Sequence, residues 1–347
     1  MSDIISKVDT IINKNNIKTN SNIEFLPCGS TILSLIGSGG FPVGKMINIV
    51  GDKSTGKTLL TLEALFAMKQ KYEDKLKIYY DDCESGYSFD TEKIYGKKLF
   101  DENIEPSKTI EEMEFNLNLQ LNSINNDEYL VYVVDSFDAL SSDAEIKRAE
   151  KRRKGIEDGK TVDSGTYGME KQKFCSELFR VLISKIKNKN CLLIIISQVR
   201  QNIGIMFGER YTRSGGKALD FYASQIYWLA ECEKYKKKDI PTGVCIKVKN
   251  KKNKVGLPYR QGFIDILFDY GIDNITSNIN FLYDLKTPTG KSQKAKTVKW
   301  NDLEPMRPIK LITYIEENNL EDELEQKVKS KWYQIEQDIK TKRKQKY

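Results

Sequence analysis

Met46-Ile47-Asn48-Ile49-Val50 leads into Gly51-Asp52-Lys53-Ser54-Thr55-Gly56-Lys57-Thr58 and then into Leu59-Leu60-Thr61-Leu62. The first five residues are almost wholly apolar and β-prone, as a strand buried on both faces requires. The next eight match G-x-x-x-x-G-K-[ST], and an apolar helical pattern over 57–70 follows. Glycine at both ends of the loop permits backbone angles that aim successive N–H groups at a phosphate. The helix that opens at Lys57 adds the positive end of its dipole. Lys57 is placed to reach the β- and γ-phosphates of a nucleotide, and the Thr58 hydroxyl to ligate Mg²⁺. The sequence therefore predicts a nucleotide-phosphate site built from Gly51, Asp52, Lys53, Ser54, Thr55, Gly56, Lys57 and Thr58.

The same strand texture recurs at Lys77–Asp81, Tyr129–Asp135 and Cys191–Ser197, with helical patterns over 109–124 and 168–188 between them. Strand and helix alternating at this spacing predict a doubly wound, mainly parallel α/β sheet. Ligands in such sheets lie beyond the carboxyl ends of the strands. Three further runs, Gln225–Ala230, Gly243–Lys249 and Phe263–Phe268, read as additional strands. Upstream, Ile4, Ile5, Val8, Ile11 and Ile12 share one helical face, too short to stand alone and in need of either its own core or a neighbouring subunit. Downstream, 286–299 is polar. Leu320, Leu324, Val328, Trp332, Ile335 and Ile339 then form one helical stripe ahead of a basic tail.

Composition narrows the chemistry. The 347 residues carry 56 Lys and Arg against 49 Asp and Glu, a formal charge of +7, and no histidine. Triads and acid–base pairs that depend on histidine are excluded. The six cysteines form no C-x-x-C pair, which predicts buried thiols in a reducing compartment rather than zinc ligands. The longest aliphatic run, Leu192 to Ile196, is far too short to span a bilayer, and Met1-Ser2-Asp3 does not open an apolar leader. A cytoplasmic protein with no membrane partner is expected.

Polar residues at the predicted strand ends are the candidate chemistry. Asp135 closes Val133-Val134-Asp135-Ser136, where a carboxylate needs a compensating cation, and Mg²⁺ held through water fits beside the loop. Asp81-Asp82-Cys83-Glu84 offers an acid near the γ-phosphate to orient and deprotonate water. Glu84 is preferred, although spacing leaves Asp81 and Asp82 open. Gln198 ends another strand, and its amide could bond a γ-phosphate oxygen and report its loss.

Two stretches beyond these ends resemble nucleic-acid contacts more than packed core. Arg200 to Gly216 mixes glycine hinges with Arg200, Arg210, Arg213, Met206 and Phe207, a composition able to neutralise phosphates and grip stacked bases. Ile146 to Lys154 holds six basic residues in nine, Arg148, Arg152 and Arg153 among them, and reads as a helix end followed by a mobile loop. The lysines at 247, 249 and 251 share one strand face, which must meet solvent or an anion.

Together these pieces resemble the RecA-type recombinases, bacterial and phage. The resemblance rests on Gly37-Ser38-Gly39-Gly40 and Pro42-x-Gly44-Lys45 ahead of the phosphate loop, and on Val133-Val134-Asp135-Ser136. It rests also on Gln198-x-Arg200, Ile203-Gly204-x-Met206-Phe207-Gly208 and Gly215-Gly216-x-Ala218-Leu219-x-Phe221-Tyr222-Ala223-Ser224. It implies a RecA-like P-loop ATPase core over 34–272, a polymerisation segment at 1–33 whose helix docks on a neighbour, and a small C-terminal domain at 273–347. Glu84 becomes the catalytic carboxylate and Gln198 the link between γ-phosphate and DNA. The segment 141–168 becomes a first DNA-binding loop. Arg200, Met206, Phe207, Gly208, Arg210, Arg213, Gly215 and Gly216 become a second. Lys252 and Lys254 would complete the ATP site of the adjacent subunit, and Phe221 would lie at that interface. The implied activity is ATP-dependent filament formation on single-stranded DNA, with homologous pairing to a duplex and strand exchange. A hexameric helicase and a DNA-binding mediator are the alternatives. Three departures from bacterial members stand out: a longer, more basic first loop, Asp220 at a usually basic position, and a basic rather than acidic tail.

Overall fold

The computed structural model describes residues 23–86, 90–100, 104–157, 167–201, 211–213, 216–293 and 297–343. The expected N-terminal helix, most of the expected second DNA-binding loop (Met206, Phe207, Gly208, Arg210 and Gly215) and the last tail residues lie outside them.

Eight strands form the main sheet: β1 (Lys45–Gly51), β2 (Leu76–Asp81), β3 (Tyr129–Val134), β4 (Cys191–Gln198), β5 (Gln225–Lys237), β6 (Ile240–Asn253), β7 (Gln261–Leu267) and β8 (Gly271–Asp273). Their spatial order is β8-β7-β6-β5-β1-β4-β3-β2. The five strands from β5 to β2 are mutually parallel. The pairings from β5 through β6 and β7 to β8 are antiparallel. The sheet is therefore mixed, with the parallel part carrying the phosphate loop.

Side-chain alternation sends β1 into two separate cores. Ile47 and Ile49 join the Lys57–Tyr72 helix on one face. Met46 and Val50 join the Ile110–Ser123 and Tyr167–Lys187 helices on the other. Helices on both faces bury the central strands completely, which is why these segments read as continuous apolar runs. Asn48 is the polar exception; its buried amide donates to the Ile195 carbonyl at 2.8 Å and the Ser197 hydroxyl at 2.9 Å. From β1 the chain crosses β4 and β3 to reach β2 at the edge, leaving a crevice beyond the ends of β1 and β4.

The strands Gln225–Ala230 and Gly243–Lys249 extend much further than their apolar runs. They meet in a tight hairpin whose two turn residues, Lys238 and Asp239, both have positive φ (51° and 62°). Such a turn matches the right-handed twist of paired strands. The hairpin ends are charged because they project past the core, so hydropathy stops while backbone pairing continues. Lys251 lies 3.3 Å from the Trp228 ring centroid and Lys247 5.7 Å from that of Phe263, so the expected basic face is laid over aromatic rings.

The C-terminal stripe forms the helix Glu321–Asp338. Leu324 and Val328 are fully buried and Trp332 nearly so, whereas Ile335 and Ile339 are exposed. Leu324, Val328 and Trp332 share one core with Leu311, Ile315, Ile32 and Ile36 and with Ile264 and Ile266 of β7. Glu336, buried on this helix, takes a bidentate bond from Arg260, with Nη2 to Oε2 at 2.6 Å. None of the six cysteines forms a disulfide, and Cys28, Cys175, Cys191 and Cys245 are buried. Among the described residues, no helix is long and apolar enough to cross a membrane.

Candidate functional site

β1 ends at Gly51, where a Cβ would run into the Thr55 hydroxyl. Gly56 takes φ +76° and turns the chain into the helix that starts at Lys57. Between them Asp52, Lys53 and Ser54 are exposed, while Thr55 and Lys57 are buried. The Asp52 carbonyl accepts from the Thr55 hydroxyl at 2.9 Å and from the Lys57 ammonium at 2.8 Å. The lysine thus folds across its own loop. Burial lowers its pKa despite the opposing fields of Asp135, Glu84, Asp52 and Asp138.

Asp135 follows directly on β3, and its backbone N–H donates to the Asp81 carbonyl at 2.9 Å. Its Oδ2 accepts from the Thr58 hydroxyl at 2.7 Å and from the Tyr80 hydroxyl at 2.6 Å. Burial is the main cause of its raised pKa, offset by these two hydroxyls. A partly buried carboxylate touching the loop threonine is the donor set that a hard cation bound to phosphate requires. No cluster of three metal-ligating acids or thiols occurs among the described residues. None is needed, since Mg²⁺ at such sites takes most of its oxygens from phosphate and water. Thr58 and Asp135 fit the ion.

The three candidate acids after β2 separate cleanly. Asp81 is fully buried, accepting from the Ser107 N–H at 2.8 Å, the Ser107 hydroxyl at 2.6 Å and the Tyr132 hydroxyl at 3.0 Å. Its carboxylate braces the segment before the Ile110–Ser123 helix and is not solvated. Asp82 is half-buried. Glu84 is the acid that faces the other strand ends: its Oε1 accepts from the Gln198 amide at 2.7 Å and from the Ser136 hydroxyl. Gln198 is also held at its backbone N–H by Asp138, at 2.7 Å, and lies beside Gly51 in the strand register. The predicted acid and the predicted amide sensor therefore touch. Ser136, Asp138 and Tyr80 are participants the sequence did not single out; the alternation of β2, which sets Tyr80 on the face of the Lys57–Tyr72 helix, was the available signal for the last.

Past Gln198, Arg200 and Gln201 pair with Thr212 and Tyr211 in a two-residue antiparallel stem. Arg213, expected to face phosphates, is instead buried and ion-paired with Asp220 on the Gly216–Tyr222 helix. The acid at 220 supplies the charge that draws the guanidinium inward. The other basic stretch, 146–154, lies within the Asp143–Glu157 helix, and the loop expected after it, 158–166, lies outside the described residues. Arg153 is exposed on this helix and Arg148 and Arg152 are half-buried one turn apart.

Lys252 and Lys254 sit at the opposite end of the sheet. The Lys254 N–H donates to the Ser224 carbonyl, and the Ser224 N–H to the Met46 carbonyl, five strand residues, about 16 Å, before Gly51. Both ammonium groups bond the Phe221 carbonyl at 2.9 Å, and Lys252 also bonds that of Asp220, together capping the Gly216–Tyr222 helix. The Phe221 side chain is 68% exposed, with the Lys254 ammonium 5.6 Å from its ring centroid. Burial, reinforced by Lys254, pulls the Lys252 pKa down to about 8.

A phosphate loop at the switch point of a doubly wound sheet, with an acid and an amide at the neighbouring strand ends, defines a P-loop α/β protein. The family model for the RecA N-terminal domain matches residues 6–273. Protein RecA of Allochromatium vinosum is 36% identical over 252 residues, covering 72% of this chain and 67% of the relative. Protein RecA of Paracoccus denitrificans is 33% identical over 277 residues, covering 79% and 71%. A crystal structure of the RadB recombinase covers 72% of this chain and 98% of its own at 19% identity and a TM-score of 0.48. The chain belongs to the RecA family, whose members are recombinases and ATPases of the P-loop type.

Proposed function

We propose that this chain is an ATP-dependent recombinase that polymerises on single-stranded DNA in the cytoplasm and pairs it with homologous duplex. The observation that carries this is the Glu84–Gln198 contact. It joins a hydrolytic acid to a strand that runs straight into the stem of the Arg200–Thr212 segment. ATP lies on Gly51 to Thr58. Thr58 and Asp135 would hold Mg²⁺, which when bound would supply charge neutralisation to the nucleotide's phosphates. Lys57 leaves the Asp52 carbonyl for phosphate, Gln198 leaves Glu84 for a γ-phosphate oxygen, and Glu84 is thereby freed to orient water. Loss of the γ-phosphate returns Gln198 to Glu84 and loosens the DNA segment, a phosphate-controlled order–disorder switch. Residues 1–33 serve as the polymerisation segment, 34–272 as the ATPase core with DNA contacts at Arg153, Arg200, Phe207 and their neighbours, and 273–347 as the C-terminal domain.

The direct test measures ATP turnover with and without single-stranded DNA, with electron microscopy of the complex on a non-hydrolysable analogue. A rise of at least about tenfold and open helical filaments are expected. Equal turnover in both arms would overturn the reading. Closed rings would favour a helicase, and filaments without joint molecules a mediator.

Lys252 and Lys254 cannot reach the phosphate loop of their own chain, which supports their acting on the neighbour's nucleotide. Lys252 has a pKa of about 8, so its charge is present at pH 7 and lost as pH rises beyond 8. Phosphate attracts only the charged form, so analogue-dependent assembly should weaken between pH 7 and 9. Lys252→Arg should flatten that decline in light scattering or sedimentation. Stability moves the other way. The folded chain holds this proton less tightly than the unfolded one, so the burial penalty is present below pH 8 and is relieved toward pH 10. An identical decline in the variant would remove Lys252 from the interface.

A further inference from the structure

Tyr80 is almost fully buried on β2, on the face covered by the Lys57–Tyr72 helix. Its ring stacks on Phe100 with centroids 4.6 Å apart and planes 10° from parallel. Phenylalanine would satisfy that packing equally well. The hydroxyl instead reaches 2.6 Å to Oδ2 of Asp135, the oxygen that also takes the Thr58 hydroxyl at 2.7 Å. Two donors on one oxygen fix both the position and the rotation of the carboxylate. Oδ1 accepts no hydrogen bond among the described residues. The backbone holds the same geometry from the other side, through Asp135 N–H to the Asp81 carbonyl, one residue along from Tyr80.

We propose that Tyr80 is a positioning residue for the magnesium-side carboxylate, keeping Asp135 oriented so that Oδ1 meets a metal-bound water while Oδ2 stays on Thr58. The inference rests on the Mg²⁺–ATP role proposed above for Thr58 and Asp135. Partners that orient a group serving a metal commonly alter metal affinity by about 10- to 100-fold when removed.

The test is Tyr80→Phe, which keeps the ring stack and removes only the hydroxyl. Equilibrium binding of a fluorescent ATP analogue is measured in EDTA and across a Mg²⁺ titration, for the variant and the parent protein. Expected are equal affinities in EDTA, thermal midpoints within about 2 °C, and a roughly tenfold higher Mg²⁺ concentration for the half-maximal gain in affinity. Superimposable Mg²⁺ titrations would overturn the proposal. So would a variant whose EDTA affinity and thermal midpoint fall together, since that marks a role in packing alone. A parent protein whose nucleotide affinity ignores Mg²⁺ would instead sink the underlying assignment of Thr58 and Asp135, and this inference with it.

Discussion

Glu84→Gln is expected to lower single-turnover ATP hydrolysis by at least about 100-fold while leaving ATP affinity within about threefold. A positioned general base contributes about 10²- to 10⁴-fold, and the isosteric amide lacks both basicity and charge. Shape is conserved, so the Ser136 hydroxyl can still donate to the side-chain oxygen, and the fold has no cavity to absorb. The Gln198 amide, which now donates to Glu84 Oε1 at 2.7 Å, loses a charged acceptor and is released more readily to the γ-phosphate. The variant should therefore hold DNA longer after a chase with competitor. Rapid-quench measurement at saturating ATP, with filter binding for the DNA lifetime, checks both halves. Hydrolysis at the parental rate would move the base to Asp82, the half-buried acid two residues earlier.

Phe221→Ala is expected to raise the protein concentration needed for analogue-dependent polymerisation by about 30- to 100-fold. A phenylalanine left 68% exposed on a helix end whose carbonyl takes two lysine ammonium groups is poorly explained by packing within one chain. Burying such a ring is worth about 2–3 kcal/mol, and a head-to-tail polymer meets that cost at every joint. Because the ring is exposed in the monomer, the thermal midpoint should stay within about 2 °C. Nucleotide binding at Lys57, at the other end of the sheet, should also be unchanged. Sedimentation across a concentration series reads the shift. An unchanged threshold would detach Phe221 and its flanking lysines from the subunit contact.

The local patterns of this chain carried much of its fold. Each parallel strand was visible because burial on two faces leaves room only for apolar residues. The phosphate loop was visible because strand, glycine turn and helix start are consecutive. Elements that leave the core were cut short: β5 and β6 continue beyond Ala230 and Lys249 through charged residues, where pairing is maintained by backbone bonds that hydropathy does not register. The stripe from Leu320 to Ile339 showed the opposite error of scale, since periodicity marks a face and not how far along it a partner extends. Asp81, Asp82 and Glu84 were chemically equivalent until the position of Ser107 and Tyr132 made one of them structural. Arg213 looked like a phosphate contact until Asp220, seven residues on, folded back to meet it.

By itself the sequence determined the phosphate-loop architecture, the parallel strands around it, the exclusion of histidine chemistry and the short set of polar residues at strand ends, because all of these are written in consecutive residues or in composition. Only the tertiary structure decided that Glu84 meets Gln198 and Ser136, that Tyr80 and Thr58 share one oxygen of Asp135, and that Lys252 and Lys254 lie at the far end of the sheet. Those relations depend on which strands become neighbours and on which face each side chain emerges, and chain order specifies neither until the whole sheet has closed.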